Sequence, residues 1–353
     1  MVSPKGDKQK RRKQLNYIAE YLWIDGGNPT SRIRSKTKVF ETDKELSLEV
    51  FPEWSFDGSS TEQAVGNNSD CVLRPVFFCF DPTRKGVNTV IVLCEVYDVD
   101  GNPHPSNHRA KLRETLNQKP NLDAWVGFEQ EYTLFLGSRP LGFPSERRFP
   151  PAQGPYYCGV GADEVSGREL VEEHLNACIS AEIPITGINA EVMPGQWEFQ
   201  IGGPGVDPLT GSDCLWVARW LLYRLGEKYN ISATLEPKPV TGDWNGAGMH
   251  TNFSTESTRA EGGLSVIEQI MHTMKERISE HLAEYGEGYE IRLTGKHETC
   301  RYDEFKWGVS DRTASVRIPV TTSKEGKGYF EDRRPNANAD PYRVARVIVE
   351  SSK

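Results

Sequence analysis

Glutamate recurs in this chain inside stretches that otherwise read as buried strand. Glu129 and Glu131 stand one residue apart in Gly127-Phe128-Glu129-Gln130-Glu131-Tyr132; Glu191 follows Asn189-Ala190, Glu198 lies between Trp197 and Phe199, and Glu331 sits in Tyr329-Phe330-Glu331-Asp332. Successive side chains of a strand point to opposite faces. Glu129 and Glu131 therefore share one face, while Phe128, Gln130 and Tyr132 take the other. A carboxylate on a half-buried strand is costly unless something positive meets it. Two of them about 4 Å apart repel by about 4 kcal/mol at an effective dielectric of 20. A single Glu-x-Glu is met more often by arginine or lysine, but five glutamates in such settings point to bound divalent cations. The ligands are mostly carboxylate oxygens, with His250 of Gly248-Met249-His250-Thr251-Asn252 as one nitrogen. That set suits Mg²⁺ or Mn²⁺ rather than zinc or copper.

With 353 residues and 37% hydrophobic side chains, the chain has material for two or three domains with ample core. A net charge of -8 argues against non-specific nucleic-acid binding. No apolar run approaches the roughly 18 residues that span a membrane. The seven cysteines form no C-x-x-C and are odd in number, which argues against a disulfide framework or zinc knuckle and for a reducing compartment, with the cytoplasm expected. Residues 1–14 carry Lys8, Lys10, Arg11, Arg12 and Lys13 with no apolar segment behind them, so they read as a disordered basic tail rather than a secretion signal.

Four strands are expected in residues 15–101, at Tyr17 to Ile24, Ile33 to Phe40, Val72 to Phe80 and Val90 to Val96. Gly101-Asn102-Pro103-His104-Pro105 marks a domain boundary, and Ser106 is expected to cap a helix through Leu112 and Leu116. A second domain, 106–353, alternates strands and helices. Trp125 to Leu136 reads as strand, Ser166-Gly167-Arg168-Glu169 as a capping box, and Leu215 to Tyr229 and Val266 to Tyr285 as amphipathic helices. Asn189 to Met193 and Gln196 to Ile201 read as strands joined at Pro194-Gly195, a pair that suits a type II turn. The segment from Gly286 reads as polar and mobile.

Arginines cluster near these acids: Arg292, Arg312 and Arg317, then Arg333 and Arg334 directly after Glu331-Asp332. Arginine binds phosphate and carboxylate bidentately, so beside a metal site it suggests a transferred phosphoryl group and an anionic substrate. Thr294-Gly295-Lys296-His297 lacks the spacing of a P-loop, and Gly159-Val160-Gly161 lacks the third glycine of a dinucleotide fingerprint. A nucleotide must then be held by metals and arginines, with aromatics such as Tyr329 and Phe253 near its base. Taken singly, Glu298 and Asp57 read as a solvated loop charge and an Asx-turn residue.

Six ordered segments together resemble glutamine synthetase of the second, eukaryotic-like type, from about Leu15 to the C-terminus. They are Trp54-Ser55-Phe56-Asp57-Gly58-Ser59-Ser60-Thr61, Gly127 to Tyr132, Asn189 to Glu198, Asn245 to Asn252, Leu293-Thr294-Gly295-Lys296-His297-Glu298 and Tyr329 to Pro335. The resemblance implies an α+β chain, with an N-terminal β-grasp domain and a catalytic domain whose curved antiparallel sheet is flanked by helices. It implies two or three Mg²⁺ or Mn²⁺ ions per site, one on Glu131, Glu191 and Glu198 and another on Glu129, His250 and Glu331. ATP would lie near Glu129, Glu198, Asn252, Phe253, Ser254, Arg312, Arg317, Tyr329 and Glu331. L-glutamate would contact Asp243, Trp244, Arg292, Arg312 and Arg333. Asp57, with Ser60 beside it, would come from an adjacent subunit of a double-ring homo-oligomer, a decamer, and take a proton from ammonium. Glu298 would lie on a flap closing over glutamate, and Arg317 would neutralise the transferred phosphoryl group. The chain departs from the family pattern at Ile291, where arginine is common, and at Ser310-Asp311, where Ala-Asn is common. The implied reaction is ATP-dependent joining of glutamate and ammonium through γ-glutamyl phosphate. A glutamate–organic amine ligase and a non-catalytic structural relative are the alternatives.

Overall fold

The computed structural model describes residues 14–86, 88–144 and 150–352. The basic residues from Lys8 to Lys13 lie outside them. Strands β1 (Leu15–Ile24), β2 (Ile33–Thr42), β3 (Trp54–Asp57), β4 (Asp70–Phe80) and β5 (Thr89–Tyr97) form one sheet in the order β2-β1-β5-β4-β3. The central pair, β1 and β5, is parallel, and the other pairs are antiparallel. The run Val90-Ile91-Val92-Leu93-Cys94 supplies β5, which is buried along its whole length. That is the pattern of a strand covered on both faces.

The second sheet holds β6 (Trp125–Leu136), β7 (Arg139–Pro140), β8 (Ile185–Ala190), β9 (Gln196–Gly202), β10 (Ser232–Thr234), β11 (Met249–Ser254), β12 (Trp307–Val309), β13 (Val316–Ile318) and β14 (Phe330–Asp332). Its main path is β12-β13-β14-β11-β6-β9-β8, with β7 and β10 also paired to β6. It is antiparallel except between β12 and β13. The Pro194-Gly195 turn closes β8 onto β9: Gln196 N–H donates to Met193 O at 2.9 Å, and Gly195 takes φ +73° as a type II turn requires.

The helix Pro208–Tyr229 packs its Leu215, Leu221 and Leu222 into the core beneath this sheet. Each such side chain contributes about 1.5–3 kcal/mol of burial. Polar Gln130 on the buried face of β6 is matched by Arg219 of that helix, whose Nε donates to Gln130 Oε1 at 2.9 Å. Arg219 Nη2 also donates to the Ala337 and Ala339 carbonyls. The two domains are tied by Arg109, which donates to Glu95 of β5 and to both carboxylate oxygens of Asp213, each at 2.8 Å.

Several local expectations need correction. Asn107, not Ser106, caps the helix His108–Asn117, because its Oδ1 reaches the Ala110 N–H at 3.0 Å; Ser106 is bonded to His104 and Gln63 instead. The box at Ser166 does not form: Gly167 begins the helix Arg168–Ser180 at φ +90° with no side-chain cap. The helix expected from Leu215 starts earlier, at Pro208 behind an Asp207 cap. The helix expected over Val266 to Tyr285 is two, Gly263–Glu276 and Ile278–Glu284, meeting at Arg277. The strand before the turn ends at Ala190, so Glu191 stands just beyond it. The segment after Gly286 includes a short helix, Tyr289–Arg292, and its Glu287 carbonyl accepts from Asn336 and Asn338.

Candidate active site

Three rungs of the second sheet, on one face, build the site. At the first, Arg317 of β13 pairs with Glu331 of β14, then Asn252 of β11, Gly127 of β6 and Gly202 of β9. At the second, His250 stands opposite Glu129, which stands opposite Gln200. At the third, Glu131 faces Glu198, which faces Asn189. The period of two in each strand keeps all of these side chains on the same face.

Two acidic groups result. Glu131, Glu191 and Glu198 offer ligand atoms within 4.8 Å of one another, and so do Glu129, Glu198 and His250. Glu198 is thus common to both. Glu331 stands at the edge of the second group, with Oε1 3.5 Å from His250 Nδ1, and it is paired to Arg333 at 2.6 Å and to Arg317. Amide side chains orient the acids: Asn189 donates to Glu191 at 2.9 Å, Gln200 to Glu198 at 3.0 Å and Asn252 to Glu129 at 2.8 Å. Burial, reinforced by Glu129 and Glu131, pushes the Glu198 carboxyl up to about 8. Burial, then Glu131 and Glu198, raises Glu191 well above the usual carboxylate range, and burial raises Glu131. Burial and Arg333 hold His250 low, so its ring is neutral. Oriented carboxylates that resist ionising together, beside a neutral imidazole, fit a hard divalent cation.

Beside the acids there is an opening lined by Gly127 and Gly202 of the first rung. A cavity of about 550 Å³ lies over them, lined also by Trp125, Glu129, Gln200, Asn252, Arg259 and Tyr329. Arg259 stacks on the Trp125 ring at 3.5 Å. The cavity has the dimensions of a small-molecule site.

Residues 17–99 match the glutamine synthetase β-grasp domain, and residues 106–352 match the glutamine synthetase catalytic domain. The chain belongs to the glutamine synthetase family. It is 54% identical to a glutamine synthetase of Streptomyces viridochromogenes over 96% of this chain and 97% of that one. It is 53% identical to a chloroplastic glutamine synthetase of Chlamydomonas reinhardtii, covering 97% of this chain and 92% of the relative. The fold is similar to that of Plasmodium falciparum glutamine synthetase seen by cryoEM, with TM-score 0.76 at 17% identity, covering 98% of this chain and 72% of that one.

The residues that resemblance to glutamine synthetase singles out are not all placed alike. Asn252, Phe253, Ser254 and Tyr329 line the cavity, but the Phe253 ring packs on Phe330 in the core, leaving only its backbone toward a ligand. Arg312 is half-exposed, 4.0 Å from Glu298. Arg292 was expected on the substrate, yet its guanidinium is buried. It donates to the carbonyls of Arg333, Arg334 and Pro335 and lies 3.2 Å from His250 Nε2. It holds that backbone in place rather than facing open cleft. Gly248 makes room for it: a Cβ there would stand 2.2 Å from Arg292 Nη2. The Trp244 ring is also buried, against Phe143 and Tyr156, while Asp243 is exposed and pairs with His297 at 3.2 Å. Asp57 caps its own turn, accepting from the Ser59 N–H and from the Ser59 and Ser60 hydroxyls. Those hydroxyls hold its carboxyl low, keeping it ionised. Asp311 is likewise occupied by its own turn, bonding Thr313.

Sequence reasoning missed Asn189, Gln200, Trp125 and Arg259. Gln200 carried a signal, since it lies two residues beyond Glu198 on a strand. Arg259 carried none, because only the fold brings it to Trp125.

Proposed function

We propose that this cleft forms L-glutamine from L-glutamate and ammonium, driven by ATP, through a γ-glutamyl phosphate. The observation that carries the reading is the pair of acidic groups sharing Glu198 beside the glycine-floored cavity. Glu131, Glu191 and Glu198 would hold one divalent cation, and Glu129, Glu198 and His250 another, with Glu331 close by. Bound Mg²⁺ or Mn²⁺ supplies charge neutralisation for phosphoryl transfer.

The chain's own groups account for the rest. The glutamate side-chain carboxylate repels nucleophiles until it carries a phosphoryl group. Arg317, next to Glu331, faces the charge that moves during that transfer, and Arg312 and Arg333 take the substrate's anionic groups. ATP enters the 550 Å³ cavity with its base toward Trp125, Ser254 and Tyr329. Ammonium has no lone pair, so an ionised Asp57 attracts it and accepts a proton. Asp57 reaches the cleft of a neighbouring subunit in a double-ring decamer, a reading supported by the bonds of Asp57 lying within its own turn. Glu298, on the 294–301 segment, closes over glutamate and keeps water from the acyl phosphate. Seven free thiols, six of them buried, support a cytoplasmic setting, and among the described residues no helix is long and apolar enough to cross a membrane.

The test is phosphate release with glutamate, ATP and ammonium. Turnover should require all three together with Mg²⁺ or Mn²⁺. Full turnover by Glu131→Ala would overturn the metal assignment.

A further inference from the structure

Backbone strain is concentrated on the segment that carries Glu298. His297 and Glu298 are consecutive non-glycine residues in the left-handed region, with φ +54° and +59°. Such a conformation persists only where neighbours hold it. The holding contacts come from two other loops. Gln153, itself at φ +58°, places its side-chain nitrogen 3.0 Å from the Asp243 carbonyl, 2.8 Å from Asn245 Oδ1 and 3.2 Å from His297 Nδ1. His297 Nε2 lies 3.2 Å from the Asp243 carboxylate.

The polarity of this arrangement is fixed. A backbone carbonyl can only accept, so the amide nitrogen of Gln153, not its oxygen, must face Asp243. The same nitrogen then donates to His297 Nδ1, which places the ring hydrogen on Nε2, the atom 3.2 Å from the Asp243 carboxylate. Two amide hydrogens are shared among three acceptors on two segments. From the opposite side, Arg333 Nη2 reaches the Glu298 carbonyl at 3.4 Å and Arg312 faces its carboxylate. The segment is thus gripped on one flank by the substrate arginines and on the other by Gln153.

We propose that Gln153 is a positioning residue: it clasps His297 to the 243–245 loop and so sets the closed position of the lid that bears Glu298. The proposal rests on reading residues 294–301 as that lid. Its consequence is specific to a lid. Loosening the clasp lets glutamate escape and lets water reach the acyl phosphate, while the acidic groups on the sheet are untouched. Gln153 is exposed and lies on a loop, so its removal disturbs no core.

The experiment compares wild type, Gln153→Ala, His297→Ala and the double variant, each as the full chain. Three quantities are read: KM for glutamate, kcat with saturating substrates, and glutamate-dependent phosphate release without ammonium. Gln153→Ala should raise KM for glutamate by about tenfold, the loss of one to two hydrogen bonds, with kcat changed by less than about twofold. Phosphate release without ammonium should rise several-fold relative to synthesis, and manganese titration should be unchanged. The double variant should be no worse than His297→Ala alone, because that substitution already removes the bond from Gln153 together with the His297–Asp243 contact. Unchanged KM and coupling in Gln153→Ala, or additive losses in the double variant, would overturn the clasp. Absence of glutamine formation by wild type would instead overturn the activity reading.

Discussion

Glu198 belongs to both acidic groups, and replacing it with glutamine should therefore do two opposite things. The substitution keeps the shape, and its carbonyl oxygen can still accept from Gln200. It removes one negative charge that lies within 4.8 Å of ligand atoms in each group. At that distance a pair of unit charges is worth about 3.5 kcal/mol at an effective dielectric of 20. With metal chelated, this is repulsion. The same cost appears in protonation: raising the carboxyl from 4.5 to about 8 makes the folded state take up a proton. At pH 7 that uptake costs on the order of 3 kcal/mol. The sign follows from a raised carboxyl: stability is intact below pH 4.5 and falls as pH rises toward 8. In EDTA, Glu198→Gln should therefore be the more stable protein at pH 7, by about 1–3 kcal/mol in denaturant unfolding, and should lose that pH slope. With metal present the charge is attraction. Calorimetric titration with manganese should show two binding events in wild type, both weakened about tenfold or more in Glu198→Gln. Glu191→Gln should weaken only one. Equal stability of the two proteins in EDTA, or loss of a single event in Glu198→Gln, would refute the shared-ligand geometry.

Three further outcomes are expected. Asp57→Ala should slow glutamine formation from ammonium by about 10²–10⁴-fold, what a lost proton acceptor costs, while γ-glutamyl phosphate formation is spared; equal loss in both half-reactions would remove its assigned role. Gly248→Ala should displace Arg292 and His250, because the new Cβ would lie 2.2 Å from one and 2.9 Å from the other; metal affinity should drop with the far-ultraviolet circular dichroism retained. Burial alone would raise the Glu95 carboxyl, but Arg109, Arg113 and Tyr97 outweigh it and its net shift is downward. That stabilises the domain junction above pH 4.5 and is lost on acidification below it, so Arg109→Ala should cost about 3–5 kcal/mol near neutrality and much less in acid, as read by urea unfolding at several pH values.

Local physics makes much of this molecule readable from its chain. Alternation along Trp125 to Leu136 assigns Glu129 and Glu131 to one face, and Pro194-Gly195 forms the turn its residues favour. The buried run of β5 needs no partner to be recognised as interior. Where two neighbouring residues could both cap a helix, as at Ser106 and Asn107, the choice went to the one whose oxygen reaches the third N–H, a matter of backbone angle that letters do not record.

What the order of strands decides is a different kind of fact. Glu331 and Glu129 are two hundred residues apart in sequence, and they meet only because β14 pairs with β11 and β11 with β6. The same pairings give Glu198 to both acidic groups at once, set Gly127 opposite Gly202 beneath a cavity, and turn Arg292 inward to hold backbone. The chain alone thus determined the types of group and the face each would take. Their distances, their sharing and their protonation belong to the folded sheet, because charge interaction depends on separation in space and burial, neither of which has a local signature in sequence.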